Sequence, residues 1–187
     1  CVLDVQSQQG KLSESYHALV KLTQNKNSSL ATKHVLSEMA FRLNKFTRAQ
    51  QHINNIDLNT APVSLIVLWA DIQLQQNNPE KVLNTLGKLA NSHSSLEDAI
   101  LLKLAIAEKR SNKHTNTVWQ PLMQQRVKLR EQRQDTFHAN DLANYYIHVQ
   151  ANQAKAQYWA NINWQQAKMS TDKHLLSQAD TMVRDSL

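Results

Sequence analysis

The chain has 187 residues, enough for one domain with its own core, and it contains only 2 Gly and 3 Pro. Average usage would give roughly 13 Gly and 9 Pro, so tight turns are few and strands joined by hairpins have little room. Ala, Leu, Gln, Lys and Asn are plentiful instead, which predicts an all-α fold. The formal net charge of +6 permits an anionic partner without requiring one.

Several classes of function are excluded by the scarcity of particular residues. Gly10 and Gly87 stand alone, so the chain has neither a P-loop nor a dinucleotide fingerprint, both of which need several glycines. No G-x-S-x-G elbow occurs, and we expect no cofactor. The one cysteine, Cys1, excludes internal disulfides and a cysteine-based zinc site. No run of 18 apolar residues occurs, so no transmembrane segment is expected.

Hydrophobic periodicity predicts a series of helices separated by short polar breaks. They cover, in chain order, residues 2–8, 12–22, 30–43, 46–56, 62–76, 80–90, 96–110, 114–134, 137–150, 153–168 and 171–186. Ser28 or Ser29 is placed to cap the third of these. The helix 62–76 is apolar on nearly every side at first, so we expect it to be the most buried. Pro62 suits its first turn, whereas Pro121 either kinks the helix 114–134 or marks its true first turn.

The helices form pairs, and the breaks inside the pairs recur at near-constant spacing. The breaks are 34, 33, 35 and 39 residues apart and fall at Gly10, Asn44, Asn77, Asn112 and Ala151. After most breaks a bulky residue stands two positions on, a smaller residue five on, and apolar residues nine and twelve on. The sets are Leu12, Ser15, Leu19, Leu22; Phe46, Ala49, Ile53, Ile56; and Pro79, Val82, Leu86, Leu89. Small residues also stand seven before three breaks, at Ser37, Ala70 and Ala105. They let two helices approach closely, so the pattern predicts packed hairpins.

This period and pattern resemble the tetratricopeptide repeat over essentially the whole chain. The resemblance implies a single domain, 1–187, that forms a right-handed α-solenoid of antiparallel helical hairpins with about four and a half repeats. The family's turn glycine is present only at Gly10, and Asn144 stands where a small residue is expected before the last break, with Ala143 one place out of phase. The fourth pair departs furthest, because the pattern positions there hold His114, Thr117, Pro121 and Gln124. The sequence therefore leaves open whether the second helix of this pair belongs to the repeat.

The last unit carries H-A at 138–139, Y-Y at 145–146 and N-W at 163–164. These pairs are similar to the C-terminal part of bacterial tetratricopeptide proteins of unassigned function. The likeness favours the bacterial periplasm or cell envelope, with the cytoplasm left open. Because the chain begins at Cys1, we expect a fragment of a longer protein that starts inside a helix; lipidation of Cys1, as in an envelope lipoprotein, is the alternative.

Residues 144–168 hold five of the chain's eleven aromatic residues. Such crowding indicates either a ligand box or a seam between two helices. Ala156, Trp159, Ala160 and Asn163 recur at helical spacing, so small and large residues can interdigitate with Ala143, Tyr146, Ile147 and Val149. We therefore expect a packed seam, with Tyr145 as the ring that remains exposed.

The function that follows from the resemblance is binding of another protein, without enzymatic activity. In stacked helical hairpins the first helices line a concave groove that holds extended peptides or partner helices. Where the chain matches the repeat, the predicted groove residues are His34, Glu38, Phe41, Arg42, Asp71, Leu74, Lys109, Arg110, Asp141, Tyr145 and His148. The same helix faces also carry Val67, Gln75, Leu102, Ile106 and His138. The alternative for each of these positions and of the predicted groove residues is that it only packs against a neighbouring helix. The partner is unidentified, and a homo-oligomer is possible.

The alternative function is binding of nucleic acid or another polyanion through a basic helix face formed by Arg126, Lys128, Arg130 and Arg133. Glu131 and Asp135 dilute that face, so a solvated surface is favoured. His34 with Glu38 and His138 with Asp141 have the spacing of metal ligands, but no third and fourth ligands accompany them, so no metal is expected. The carboxylates are scattered, which disfavours acid–base catalysis.

Overall fold

The structure is a computed structural model that describes residues 2–24, 27–92, 96–111 and 117–182. All regular structure in these ranges is helical, which confirms the all-α prediction. The helices are α1 Val2–Gln8, α2 Leu12–Thr23, α3 Leu30–Arg42, α4 Phe46–His52, α5 Val63–Gln75, α6 Pro79–Ser92, α7 Asp98–Arg110, α8 Trp119–Gln132, α9 Ala139–His148, α10 Gln153–Ala167 and α11 Ser170–Thr181, with a short 3-10 turn, Thr136–His138, before α9. Cys1, the break at Asn112, the pattern position His114 and the end of the last predicted helix, 183–186, lie outside the described residues.

The chain divides into two compact units, Cys1–Asn78 and Pro79–Leu187. In the first unit α1 packs against α2, α3 against α4, and α5 against both α3 and α4. The pattern of small residues explains how α3 and α4 approach, because Ser37 and Ala49 are both fully buried. The Ser37 hydroxyl donates a hydrogen bond of 2.9 Å to the carbonyl oxygen of Ala49, so this buried polar group is satisfied.

The same backbone turn follows α1, α3 and α5. Each turn holds one residue with positive φ: Gly10 at 95°, Asn44 at 57° and Asn77 at 58°. In each, the next residue's N–H reaches back five positions, from Lys11 to Gln6, Lys45 to Ala40 and Asn78 to Gln73. This bonding closes a helix C-terminus around a left-handed residue, a conformation that Asn tolerates better than other non-glycine residues. Asparagine therefore takes, at the second and third turns, the left-handed position that Gly10 takes at the first.

In the second unit α7 packs against α6, α8 and α9, while α10 packs against α9, and α11 against both α9 and α10. Because α7 has neighbours on several sides, 10 of its 13 residues are buried, compared with 8 of 13 in α5. The expectation that the helix near 62–76 is the most buried is therefore wrong. The buried residues of α7 include charged ones, Asp98, Lys103 and Glu108, which make its sequence look half-exposed.

Two helix boundaries differ from the expectation, and two alternatives that the sequence left open are resolved. α4 ends at His52 rather than near residue 56, because the chain turns through Asn55, which has φ of 62°. α8 begins at Trp119, so Pro121 stands in its first turn and does not kink a longer helix. Of the two candidate caps for α3, Ser29 accepts a hydrogen bond of 3.2 Å from the Thr32 N–H.

α9 and α10 pack against each other at the predicted seam, but not every aromatic residue of 144–168 lies in it, because Tyr158 is 60% exposed. Tyr146 and Trp159 are nearly fully buried beside Ala143, Ala156 and Ala160, which have no exposed surface. Tyr145, expected to be exposed, is only 2% exposed. Its ring meets that of Tyr146 edge to face, with centroids 5.1 Å apart, so two adjacent rings on α9 are both covered.

Candidate functional site

The predicted groove residues of the first unit lie on α3 and α5. His34, Glu38 and Phe41 are half-buried on α3, and the Phe41 ring packs on Phe46 with centroids 5.5 Å apart. The Arg42 guanidinium donates hydrogen bonds of 3.0 Å to both the hydroxyl and the carbonyl oxygen of Ser7 on α1. Burial lowers the pKa of Arg42, although Glu38 and Asp4 oppose the shift. This arginine therefore joins α3 to α1.

On α5 the two predicted groove residues have different surroundings. Asp71 is half-buried, whereas Leu74 is only 6% exposed and belongs to the core. Leu74 is thus unavailable to a partner in this conformation, because α5 is covered on most of its circumference. Leu102 and Ile106 on α7 are buried in the same way, at 1% and 2% exposure.

The second unit brings most of its predicted groove residues to the neighbouring helices α7 and α9. Lys109 and Arg110 are exposed at the end of α7, while Asp141 and His148 are half-buried on α9. Lys103, which the repeat pattern does not indicate, joins them, because its charge acts to lower the pKa values of both Asp141 and His148. Its position seven residues before Arg110, two turns along one helix, is the signal that could have identified it.

Asp141 and His148 both titrate away from their ordinary values, and in both cases the main cause is burial. Burial raises the pKa of Asp141, although Lys103 and His138 pull in the opposite direction. Burial, with the positive charges of Arg110 and Lys103, lowers the pKa of His148 from 6.5 to about 4. The face that α7 and α9 share therefore carries an imidazole, His148, that is neutral at pH 7, together with Asp141, whose charged form burial disfavours.

Tyr145 does not extend this face as an exposed ring. Its hydroxyl donates a hydrogen bond of 3.1 Å to the side-chain oxygen of Gln150, and burial raises the pKa of its phenol. Tyr146 beside it donates to Glu131 at 2.8 Å, and Lys155 donates to both that carboxylate and the Tyr146 oxygen. These bonds connect α8, α9 and α10.

The basic helix face is partly neutralised within the second unit. The buried carboxylate of Asp98 accepts from Arg126 at 2.8 Å and from Arg130 at 2.9 Å, and Arg130 also pairs with Asp135 at 2.8 Å. Lys128 and Arg133 remain exposed. Two of the four cations therefore hold α8 against α7, which lowers the net charge that this face offers to a polyanion.

The two histidine pairs considered as metal ligands are not joined by further donors. Within the described ranges, no group of three or more His, Cys, Asp and Glu side chains is placed to hold a metal ion. His138 instead contacts Asp135 through Nδ1 at 3.0 Å. Burial disfavours the charged form of Asp135, but the hydrogen bonds and charges of His138 and Arg130 outweigh it and lower the pKa of Asp135.

Comparison with known proteins leaves the site to be interpreted from its own geometry. No family model, curated protein or solved structure matches the chain. Among the described residues, no helix combines the length and the apolar character needed to cross a membrane.

Proposed function

We propose that the chain is a tetratricopeptide-like repeat domain, a right-handed α-solenoid of about four and a half hairpins, that binds an extended peptide or partner helix of another protein. In this role it is a scaffold or adaptor and performs no chemistry. The proposal is supported by the recurrent turns at Gly10, Asn44 and Asn77, by buried small residues at the helix crossings, and by the contact between α7 and α9.

The observation that carries the binding role is the set of ionisable side chains on α7 and α9. Desolvating a charge is costly unless it is paired, so a fold gains no stability from a carboxylate whose pKa burial has raised. Groups with perturbed pKa values concentrate at binding and catalytic sites. Asp141 and His148 are two such groups, and we name them, together with Lys103 and Arg110 on α7, the α7–α9 face.

The charges of the α7–α9 face specify the partner's chemistry. Asp141 suits a lysine or arginine of the partner, and that contact would replace solvation which the carboxylate lacks. Arg110, which is exposed, suits an acidic side chain or a terminal carboxylate near neutral His148, whereas Lys103 is buried. The partner segment is therefore expected to carry charges of both signs, an arrangement that fixes its direction on the face.

The proposal is tested with peptides selected from a random peptide library on the full chain at physiological salt. Affinities are then measured by fluorescence anisotropy for the wild type and for Asp141→Asn and Arg110→Ala. We expect at least a tenfold loss in each variant, and no change in Lys88→Ala, whose lysine is exposed on α6. Equal affinities in all four proteins would show that the peptides bind elsewhere.

A further inference from the structure

A cleft of about 300 Å³ lies in the second unit beside the α7–α9 face, between the start of α8 and the end of α9. Among the described residues, the α8 side is formed by Thr117, Gln120, Pro121 and Gln124, and the α9 side by Tyr145, Val149 and Gln150. Its volume is within the usual range for small-ligand sites. All seven of these side chains are uncharged.

The cleft opens where the chain departs from its own repeat. Thr117, Pro121 and Gln124 occupy the positions that hold small and apolar packing residues in the other pairs. Here α8 is packed by Met123 and Val127 instead, which are 2% and 1% exposed. The pattern positions are thereby released from packing and line an open space. Local departures from an otherwise consistent pattern are expected at functional sites.

An anionic ligand does not suit the cleft. The backbone N–H groups of Val118, Trp119 and Gln120, which would attract an anion at the start of α8, already donate to the carboxylate of Glu108 at 2.7 to 3.1 Å. The polar groups that remain are carboxamides and hydroxyls. Each carboxamide presents a donor and an acceptor side by side, as a peptide group does.

The spacing of the carboxamides matches a peptide main chain. Gln120 and Gln124 are one helical turn apart, which places their side chains about 5–6 Å from each other. Peptide groups that face the same side of an extended chain repeat at about 6.6 Å, since each residue advances about 3.3 Å. On the opposite wall, the Tyr145 hydroxyl donates a hydrogen bond to the side-chain oxygen of Gln150. The NH2 group of Gln150 is then the donor that faces a ligand.

We propose that this cleft binds the main chain of an extended, uncharged peptide segment through the carboxamides of Gln120, Gln124 and Gln150. A sugar, the other neutral ligand with paired hydroxyl donors and acceptors, would be expected to stack on an open aromatic face. The cleft offers none among its described residues, because Tyr145 is only 2% exposed. The inference rests on the proposed function and adds a contact that recognises the main chain of the partner peptide, whereas the α7–α9 face recognises its charged side chains.

The direct test uses a neutral probe, N-acetyl-tetra-alanine N-methylamide, titrated into the full ¹⁵N-labelled chain. We expect saturable shifts of the side-chain NH2 signals of Gln120, Gln124 and Gln150 at millimolar probe concentration. The double variant Gln120→Ala, Gln124→Ala should weaken binding at least tenfold, whereas Gln125→Ala, an exposed glutamine on the same helix, should not. A probe with its central amide replaced by an ester should bind several-fold more weakly, because it lacks one N–H donor.

The inference is overturned if the probe gives no shifts, if the double variant binds it as the wild type does, or if maltotriose binds more tightly. These outcomes are separable from failure of the proposed function. Library peptides that lose affinity in Asp141→Asn but not in the glutamine double variant would retain the α7–α9 face and reject the cleft. Loss in the double variant alone would support the cleft and reject the charged face.

Discussion

The carboxylate of Glu108 accepts a hydrogen bond of 2.7 Å from the backbone N–H of Val118, and it also accepts from the next two residues. A buried side chain near the end of α7 thus caps the start of α8. Negative charge is favourable at a helix N-terminus, where backbone donors lack partners within the helix. The cap fixes where α8 begins and so sets the position of Gln120 in the cleft.

Replacing this cap should destabilise the second unit. We expect Glu108→Gln to lower the free energy of unfolding by about 1–3 kcal/mol, since a buried, charge-assisted set of hydrogen bonds is weakened. Glu97→Gln is the matched control, because Glu97 is exposed and its side chain makes no cap bond at α7. Urea denaturation followed by circular dichroism measures the difference, and faster hydrogen exchange at the first amides of α8 locates it.

Asp98 should limit the affinity of the second unit for polyanions. In Asp98→Asn the guanidinium groups of Arg126 and Arg130 lose a buried anionic partner, so we expect a loss of stability of about 1–3 kcal/mol. The released charge should also raise the salt concentration needed for elution from heparin. Elution at the wild-type salt concentration, with the variant still folded, would contradict this explanation of the basic face.

The helical architecture could be predicted from the sequence because it depends on local patterns. Apolar periodicity and the small residues Ser37, Ala70 and Ala105 located helices and crossings, and all three residues are fully buried. The sequence indicates a positive-φ turn clearly only at Gly10, because asparagine rather than glycine adopts positive φ at Asn44 and Asn77.

The site was less predictable because its key contacts are long-range. Asp98 pairs with arginines 28 and 32 residues later, and Glu108 caps amides 10 to 12 residues later. No sequence window links such residues. The burial of Tyr145 was missed for a related reason: helical geometry places adjacent side chains about 100° apart, but it does not show that other elements cover both directions.

His148 should give the protein a stability that rises with pH in the acid range. Its pKa is about 4 in the folded chain and near 6.5 when solvated, so the unfolded state binds more protons between these values. The free energy of unfolding gains this contribution as pH increases from about 4 to about 6.5, and His148→Gln should lack it. An NMR titration of the imidazole checks the premise; a midpoint near 6.5 would disprove it.

Asp141 should have the opposite effect, because its pKa is raised by burial. Protonation of Asp141 stabilises the folded state of the wild type relative to the unfolded state. This stabilisation is lost as pH rises through the folded-state pKa. Asp141→Asn should therefore have a higher melting temperature than the wild type at pH 7, with the difference shrinking at pH 3. If Asp141→Asn is more stable than the wild type but has lost peptide affinity, Asp141 serves binding at the expense of stability. A variant less stable than the wild type at pH 7 would instead assign Asp141 a structural role.

Ala160 lies on α10, which packs against α9, and we expect a larger side chain not to fit there. This residue has no exposed surface. One turn later stands buried Asn163, whose amide donates a hydrogen bond of 2.8 Å to the carboxylate of Asp172 on α11. Ala160→Leu should cost about 1–3 kcal/mol of stability, because overpacking forces neighbouring side chains from their preferred rotamers. Ala154→Leu, at an exposed site on the same helix, should be nearly neutral. Thermal unfolding of both variants decides the point: if Ala160→Leu melted with Ala154→Leu, the helices would have room to separate and the close approach assigned to small residues would be wrong.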